Sequence, residues 1–474
     1  MLFSSSYFLF LFFPSVLFIY YVFLKKSRVL QNYFLLFCSL FFYAFGEPKF
    51  VLIMILSIML NYTAAIIINK HKENICISKS VLVVSILINL LLLFVFKYVS
   101  FTVQTINAIL GKNFIVPQIA LPIGISFFTF QSISYVIDVY RGNGEVQKNP
   151  MNVGLYIAFF PQLIAGPIVR YETVANQIHN RTETFSDFSL GIQRFIMGLS
   201  KKVLLSNTLA IVADYSFNAF ANPTQYAENI SVLSAWAGAI AYTFQIFFDF
   251  SGYSDMAIGL GKMFGFHFNE NFDYPYISKS VSEFWRRWHI SLGTWFKDYV
   301  YFPLGGSRVA SKSRLMLNLF IVWFLTGVWH GANWTFICWG ILYFLLLVFE
   351  KNCHFKKRRG IIGHLYTMFF VVIGWIIFRS NNLTNAWFHI KALFGVGMST
   401  IYDAKTLFYV KDNLPFFVAA SIFSTPIIPY LKRKFKLFNT TLKCIEWIIL
   451  LLLFMISISY LIKGTYNPFI YFNF

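Results

Sequence analysis

Charge is what this sequence has least of. Only 12% of its 474 residues are Asp, Glu, Lys or Arg, about half the share of an ordinary soluble domain. So few charges cannot cover a water-facing surface, and a soluble globular architecture is excluded. Acidic residues are the scarcer sign, 19 against 39 Lys and Arg. Cysteine is sparse as well. Cys38, Cys76, Cys338, Cys353 and Cys444 are scattered, odd in number and form no CxxC pair. That argues against a disulfide framework and against a metal site; small apolar packing residues account for them. The sequence also lacks a GxSxG elbow, a P-loop, a GxGxxG turn and an HExxH helix. Hydrolases, kinases and dehydrogenases of soluble type lose their support with these motifs. No internal repeat is evident, so an inverted-repeat transporter is not signalled.

Apolar residues make up 58% of the chain and aromatic residues 20%. About 20 mostly apolar residues cross a bilayer as a helix, because hydrocarbon is about 30 Å thick and a helix rises about 1.5 Å per residue. Such runs recur along the whole chain, and their continuous apolarity excludes alternating barrel strands. The pattern predicts an all-α polytopic membrane protein, a single domain over residues 1–474, with about 11–12 transmembrane helices. Expected spans are 5–24, 29–46, 50–69, 79–99, 119–137, 151–168, 190–220, 231–249, 315–349 (as one segment or two), 362–378, 414–431 and 444–462.

The formal net charge is +20. Its basic residues sit in short clusters beside apolar runs: Lys25–Arg28, Lys356–Arg359 and Lys432–Lys434. That is the positive-inside pattern, placing these loops in the cytoplasm against anionic headgroups of the lipid bilayer. Nucleic acid is not expected as a partner, because its binding needs the charge gathered on one folded face. Residues 1–24 carry no leading positive charge and no small-residue cleavage site, so they read as a retained first span with Met1 outside. Counting crossings leaves the tail 464–474 outside too.

The middle, about 245–335, differs. It stays aromatic but fills with polar groups and glycine, as in Asp249-Phe-Ser-Gly-Tyr-Ser-Asp255 and Phe284-Trp-Arg-Arg-Trp-His289. Such a stretch suits re-entrant or interfacial helices lining a cavity. His330 follows the apolar run 315–329 and precedes Gly331-Ala-Asn333-Trp334. Ionisable groups at membrane depth are costly and face a cavity or a partner. A neutral imidazole is the cheapest to bury, and its titration range suits proton transfer. The residue reads equally as a structural histidine bonded to a neighbouring helix. Gly331 and Ala332 would admit a substrate or a second helix, and Asn333 would orient the ring or a carbonyl. His289 alone reads as interfacial. Asp249 and Asp255 would orient a histidine, line an access path, or pair with Arg286 or Arg287. His71, His179, His267, His354, His364 and His389 read as solvated or interface residues. On these residues alone, a histidine enzyme and a transporter or channel with a polar pathway both stand.

Taken together, these segments resemble the membrane-bound O-acyltransferase family. The resemblance rests on Asp138-Val-Tyr-Arg141, Phe159-Phe-Pro-Gln-Leu-Ile-Ala-Gly-Pro167, Phe248–Asp255, Phe284–Leu292, Asp298–Gly306, Trp329-His-Gly-Ala-Asn-Trp334 and Asn467–Phe472, in this order. It is strongest toward the bacterial branch that includes the membrane subunit of alginate O-acetylation, with similar peptidoglycan and cellulose proteins. The resemblance implies a ring of tilted helices around a central funnel. It matches the family's catalytic histidine to His330 and its second functional histidine to His289. Trp329, Trp334, Asn333, Asp249, Asp255, Arg286 and Arg287 are carried as supporting or substrate-binding candidates. It further implies acetyl transfer from acetyl-CoA as donor substrate, no bound cofactor, no metal, and an extracytoplasmic SGNH-type acetyltransferase as partner. D-alanyl transfer to teichoic acid is the alternative from the same family. The tail ends Phe-Asn-Phe where the branch pattern carries Phe-Arg-Phe.

Overall fold

The computed structural model describes residues 1–225, 230–353, 360–434, 439–464 and 470. Every regular element among the described residues is helical, as the composition predicts. Six helices are long and apolar enough to cross a membrane: Val51–Lys70, Ile75–Lys97, Phe185–Ala221, Trp334–Asn352, Ile361–Arg379 and Ile445–Lys463. Only 17% of the Ile75–Lys97 window and 11% of the Ile445–Lys463 window are buried in protein. Their remaining Leu, Ile and Val side chains face outward, which hydrocarbon tolerates and water does not. Three shorter apolar helices, Phe8–Phe23, Val99–Leu110 and Leu414–Phe423, add to these. The chain is an integral membrane protein.

Several expected spans change shape. The 151–168 run is broken into Pro150–Ala158 and Phe160–Leu163, with Phe159 at ψ 114° between them; Pro161 cannot continue the preceding ladder. The 414–431 run is likewise split at Pro426 into Leu414–Phe423 and Ile427–Lys434. The 119–137 run becomes helical only at Ile125. The 315–349 run is two helices, Lys312–His330 and Trp334–Asn352. The 231–249 run continues as one helix to Met263, so Asp249 and Asp255 lie on a long helix rather than at the start of a re-entrant segment. Beyond it the short-helix reading holds: only Pro275–Ile277, Val281–Arg287, Ile290–Phe296 and Lys297–Tyr301 form before residue 312.

Contacts divide the chain into two compact units, Met1–Phe195 with Tyr253–Asn269, and Ile196–Gly252 with Glu270–Phe474. In the first unit, Val51–Lys70, Ile75–Lys97 and Ile125–Arg141 pack on one another. Asn61 and Asn89 exchange amide hydrogen bonds at 3.1 and 2.8 Å, and Ser57 meets Ser132 at 3.3 Å. Polar side chains buried between apolar helices must find each other, since lipid offers no partner. At the start of Arg28–Ala44, Ser27 caps the helix, and Arg28 is ion-paired with Glu183.

The second unit holds both candidate histidines. Ser311 caps Lys312–His330, accepting the Arg314 N–H at 3.1 Å. The helix ends at His330 because Gly331 is extended and Asn333 opens the next helix, its Oδ1 accepting the Thr335 N–H at 3.1 Å. A short-side-chain acceptor at this position satisfies a first-turn donor.

Candidate active site

His330 is buried at the C-terminal end of its helix. Its ring centroid lies 5.0 Å from each of Trp329, Trp339 and Phe378, edge-on in every case. Trp339 is on Trp334–Asn352 and Phe378 on Ile361–Arg379, so three helices build one aromatic box. His289 comes from elsewhere in the unit, between Val281–Arg287 and Ile290–Phe296. It is also buried, with Phe250 edge-on at 4.6 Å and Trp329 at 6.1 Å. Both histidines therefore meet the indole of Trp329. His289 adopts φ 46°, a left-handed conformation uncommon outside glycine and worth about 1–3 kcal/mol of strain. Burial pushes its ring down to about 3, so it is neutral at physiological pH.

Phe378 and Phe336 also line a cavity of roughly 300 Å³. The polar lining is rich in amides, from Asn218, Asn333, Asn381 and Asn385. Arg379 lines it too; its guanidinium is ion-paired with Asp214 and stands 4.9 Å over the Tyr242 ring.

The structure changes several expectations for individual residues. Gly331 does not hold space open for a substrate: a Cβ there would meet the Phe336 ring at 2.3 Å, so that ring already fills it. Asn333 has its Oδ1 on Thr335 and donates Nδ2–H to the Asn381 carbonyl at 2.9 Å. Its amide holds the turn after His330, and the residue also lines the cavity. Asp249 and Asp255 do not pair with Arg286 or Arg287. Asp249 pairs with Lys202 at 2.6 Å and accepts the Ile470 N–H at 2.9 Å; Asp255 pairs with Arg194 at 2.8 Å. Arg287 is engaged by Asp273 and Glu283, and Arg286 is exposed. Trp334 is 48% exposed, unlike the buried rings that surround His330. His389 is not a solvated residue. It is fully buried, stacks on Phe220 at 4.2 Å, and lines the cavity. Burial pushes its ring down to about 4, partly offset by its hydrogen bond to the Ala235 carbonyl. Of the tail motif Asn467–Phe472, only Ile470 is described; the rest, with His354 and Lys356–Arg359, lies outside the described residues.

Sequence reading missed Trp339, Phe378 and Asn271. The first two are aromatic residues in apolar runs, indistinguishable there from lipid-facing ones. Asn271, whose Oδ1 lies 3.1 Å from His289 Nδ1, sits in a stretch with no periodic signal.

Residues 145–385, which include both histidines, match the MBOAT, membrane-bound O-acyltransferase family. The probable alginate O-acetylase AlgI of Pseudomonas aeruginosa is 44% identical over 404 residues, covering 84% of this chain and 75% of that one. A protein of the same name from Pseudomonas putida is 40% identical over 499 residues, covering 100% of both chains. The peptidoglycan O-acetyltransferase of Helicobacter pylori is 33% identical over 528 residues, covering 100% of this chain and 98% of its own. The chain is an integral membrane acyltransferase and belongs to the membrane-bound O-acyltransferase family.

Proposed function

We propose that this acyltransferase moves an acetyl group from cytoplasmic acetyl-CoA toward the hydroxyls of an extracytoplasmic polysaccharide, with His330 as general base. The observation that carries the reading is the convergence of two buried histidines, from separate segments, on the Trp329 ring. The names of the relatives, a probable alginate O-acetylase and a peptidoglycan O-acetyltransferase, support acetyl as the acyl group and a polysaccharide as its destination.

In this reading His330 takes the proton of the incoming hydroxyl while its oxygen attacks the thioester carbonyl. The C–S bond then breaks, and the departing thiolate receives the proton from the imidazolium. The aromatic walls exclude water, which strengthens each polar contact in the site and suppresses hydrolysis of the thioester. The cavity reaching Phe378 and Phe336 gives the acceptor side its approach. His289 supports the donor. Acetyl-CoA is a substrate here, and no cofactor or metal enters the scheme. The protein would reside in the bacterial cytoplasmic membrane with both termini outside, and an SGNH-type acetyltransferase would complete delivery to the polymer.

His330→Ala is expected to lower envelope acetyl ester at least about 100-fold, the range of a lost general base, while the protein stays inserted and abundant. Wild-type ester in that variant would overturn the assignment. In proteoliposomes, solute flux without acetyl-CoA consumption would replace it with transport.

A further inference from the structure

Asn271 lies in the irregular stretch after Val232–Met263 and is fully buried. Its backbone carbonyl accepts the Ile290 N–H at 3.0 Å. Its side-chain Oδ1 faces three groups: the Ser291 N–H at 3.2 Å, the Ser291 hydroxyl at 2.8 Å, and His289 Nδ1 at 3.1 Å. A backbone N–H can only donate, so the amide atom facing it is oxygen, and the orientation of Asn271 is fixed. The Ser291 hydroxyl also lies 3.5 Å from Nδ1, but it sits closer to Oδ1, at 2.8 Å, and donates there. The oxygen facing Nδ1 at 3.1 Å then favours the ring proton on Nδ1, since otherwise two lone pairs would oppose each other. A neutral imidazole carries one N–H. Nε2 must then present a lone pair, and among the described residues it is buried with no hydrogen-bond partner.

The backbone agrees with the side chains. The left-handed His289 joins two short helices, and Asn271 holds the residues on its C-terminal side through both its carbonyl and its side chain. Strain of this kind persists only where surrounding contacts over-determine it. Phe250 and Trp329 then limit where the ring can turn.

We propose that Asn271 is a positioning residue for the transfer reaction: it locks His289 in the Nδ1–H tautomer and holds Nε2 as an acceptor for a hydrogen-bearing group of the substrates. This rests on the reading of His289 as part of the transfer site. An imidazole in this state accepts from a hydroxyl, a thiol or an amide N–H. It cannot donate to a developing oxyanion through Nε2. Two sources fit, the acceptor hydroxyl and an amide N–H of the donor's pantetheine arm. A rise in KM for acetyl-CoA in His289→Ala identifies the donor arm, and a fall in kcat at unchanged KM identifies the acceptor.

The test is nitrogen-15 NMR of the full chain in nanodiscs with labelled histidine, His289 being assigned by its loss in His289→Asn. The expected result is a protonated Nδ1 and an unprotonated Nε2; a protonated Nε2 overturns the proposal whether or not His330 is the base. Acetyl-CoA turnover is then compared in Asn271→Ala and Asn271→Asp. Alanine removes the acceptor, so turnover should fall at least about tenfold and the His289 signals should show both tautomers. Aspartate keeps an acceptor oxygen and should restore the single tautomer and at least a third of the turnover, roughly. Alanine within twofold of wild type, or aspartate as impaired as alanine at equal abundance, overturns the role. Normal turnover in His330→Ala with the NMR result intact would instead sink the functional reading and leave the tautomer standing.

Discussion

Glu350 accepts the backbone N–H of Ser282 at 2.9 Å through one carboxylate oxygen, and its other oxygen accepts that of Val281. Glu350 lies on the helix that begins just after the His330 turn, Trp334–Asn352, whereas Val281 and Ser282 open the helix that leads to His289. One buried carboxylate thus ties the two histidine-bearing segments together. It satisfies two first-turn donors and complements the positive end of the helix.

Glu350→Ala should therefore lose both bonds, at about 1.5–3 kcal/mol for each hydrogen bond to a charged group. Glu350→Gln keeps one acceptor oxygen and should lose about half as much. Thermal melting in detergent should rank wild type, Gln and Ala in that order, and acetyl transfer should follow the same order. An alanine variant melting with wild type would show that the link bears no strain.

His330 and the break after it are legible because their signal is local, whereas His289 reads as interfacial by itself and joins His330 only through the family resemblance. A polar residue followed by Gly331, Ala332 and Asn333 interrupts an apolar run in plain view. The two broken spans were legible in principle, through Pro161 and Pro426, but hydropathy outweighed proline in the reading. What stayed hidden depends on distant partners. In the sequence Asp249 and Asp255 fall at the start of the expected re-entrant stretch; in the fold their helix continues, with Lys202 and Arg194 as their charge partners. His389 was dismissed among polar neighbours, yet the Ala235 carbonyl that receives its Nε2–H at 3.0 Å is 154 residues away. No pattern in the chain announces that pair.

His389 makes stability depend on pH. Its buried ring titrates near 4, against 6.5 for the ordinary group. The unfolded chain therefore takes up a proton below about pH 6.5 that the folded protein refuses. Stability should be full above that pH and fall toward pH 4, by up to about 1.4 kcal/mol per pH unit. His289, depressed to about 3, adds a fall of the same sign that extends lower. Melting curves between pH 7 and 4 should show the decline, and His389→Asn, which cannot titrate, should make it shallower. An unchanged slope would mean that the ring is protonated in the fold.

Lys312–His330 and Trp334–Asn352 meet backbone to backbone. A Cβ on Gly340 would fall 2.4 Å from the Trp323 carbonyl oxygen, and one on Gly327 would fall 2.5 Å from that of Phe336. Small residues permit such contact between membrane helices. Gly340→Val should separate the pair and cost about 1–3 kcal/mol. Because Trp339 is the neighbour of Gly340 and a wall of the His330 box, transfer should fall with it. Gly340→Ala should show a smaller effect in both melting and turnover. A valine variant with wild-type turnover would show that the box tolerates displacement.

Lys202 and Asp249 are among the most deeply buried charges described, 2% and 0% exposed. Removing one partner from such a pair costs about 3–5 kcal/mol, because the other charge is left in a medium that cannot solvate it. Lys202→Met should thus be severely destabilising, leaving Asp249 with the Ile470 N–H to face its charge. Adding Asp249→Asn removes the stranded charge yet keeps an oxygen for Ile470. The double variant should therefore recover most of the lost stability, although it differs further from wild type. Thermal inactivation of the two variants in detergent, at equal expression, measures the coupling. A double variant less stable than Lys202→Met alone would mean that the carboxylate is stabilised by its other surroundings rather than by the lysine. Recovery of stability with transfer still lost would instead give the pair a part in placing Ile470 beside the cavity.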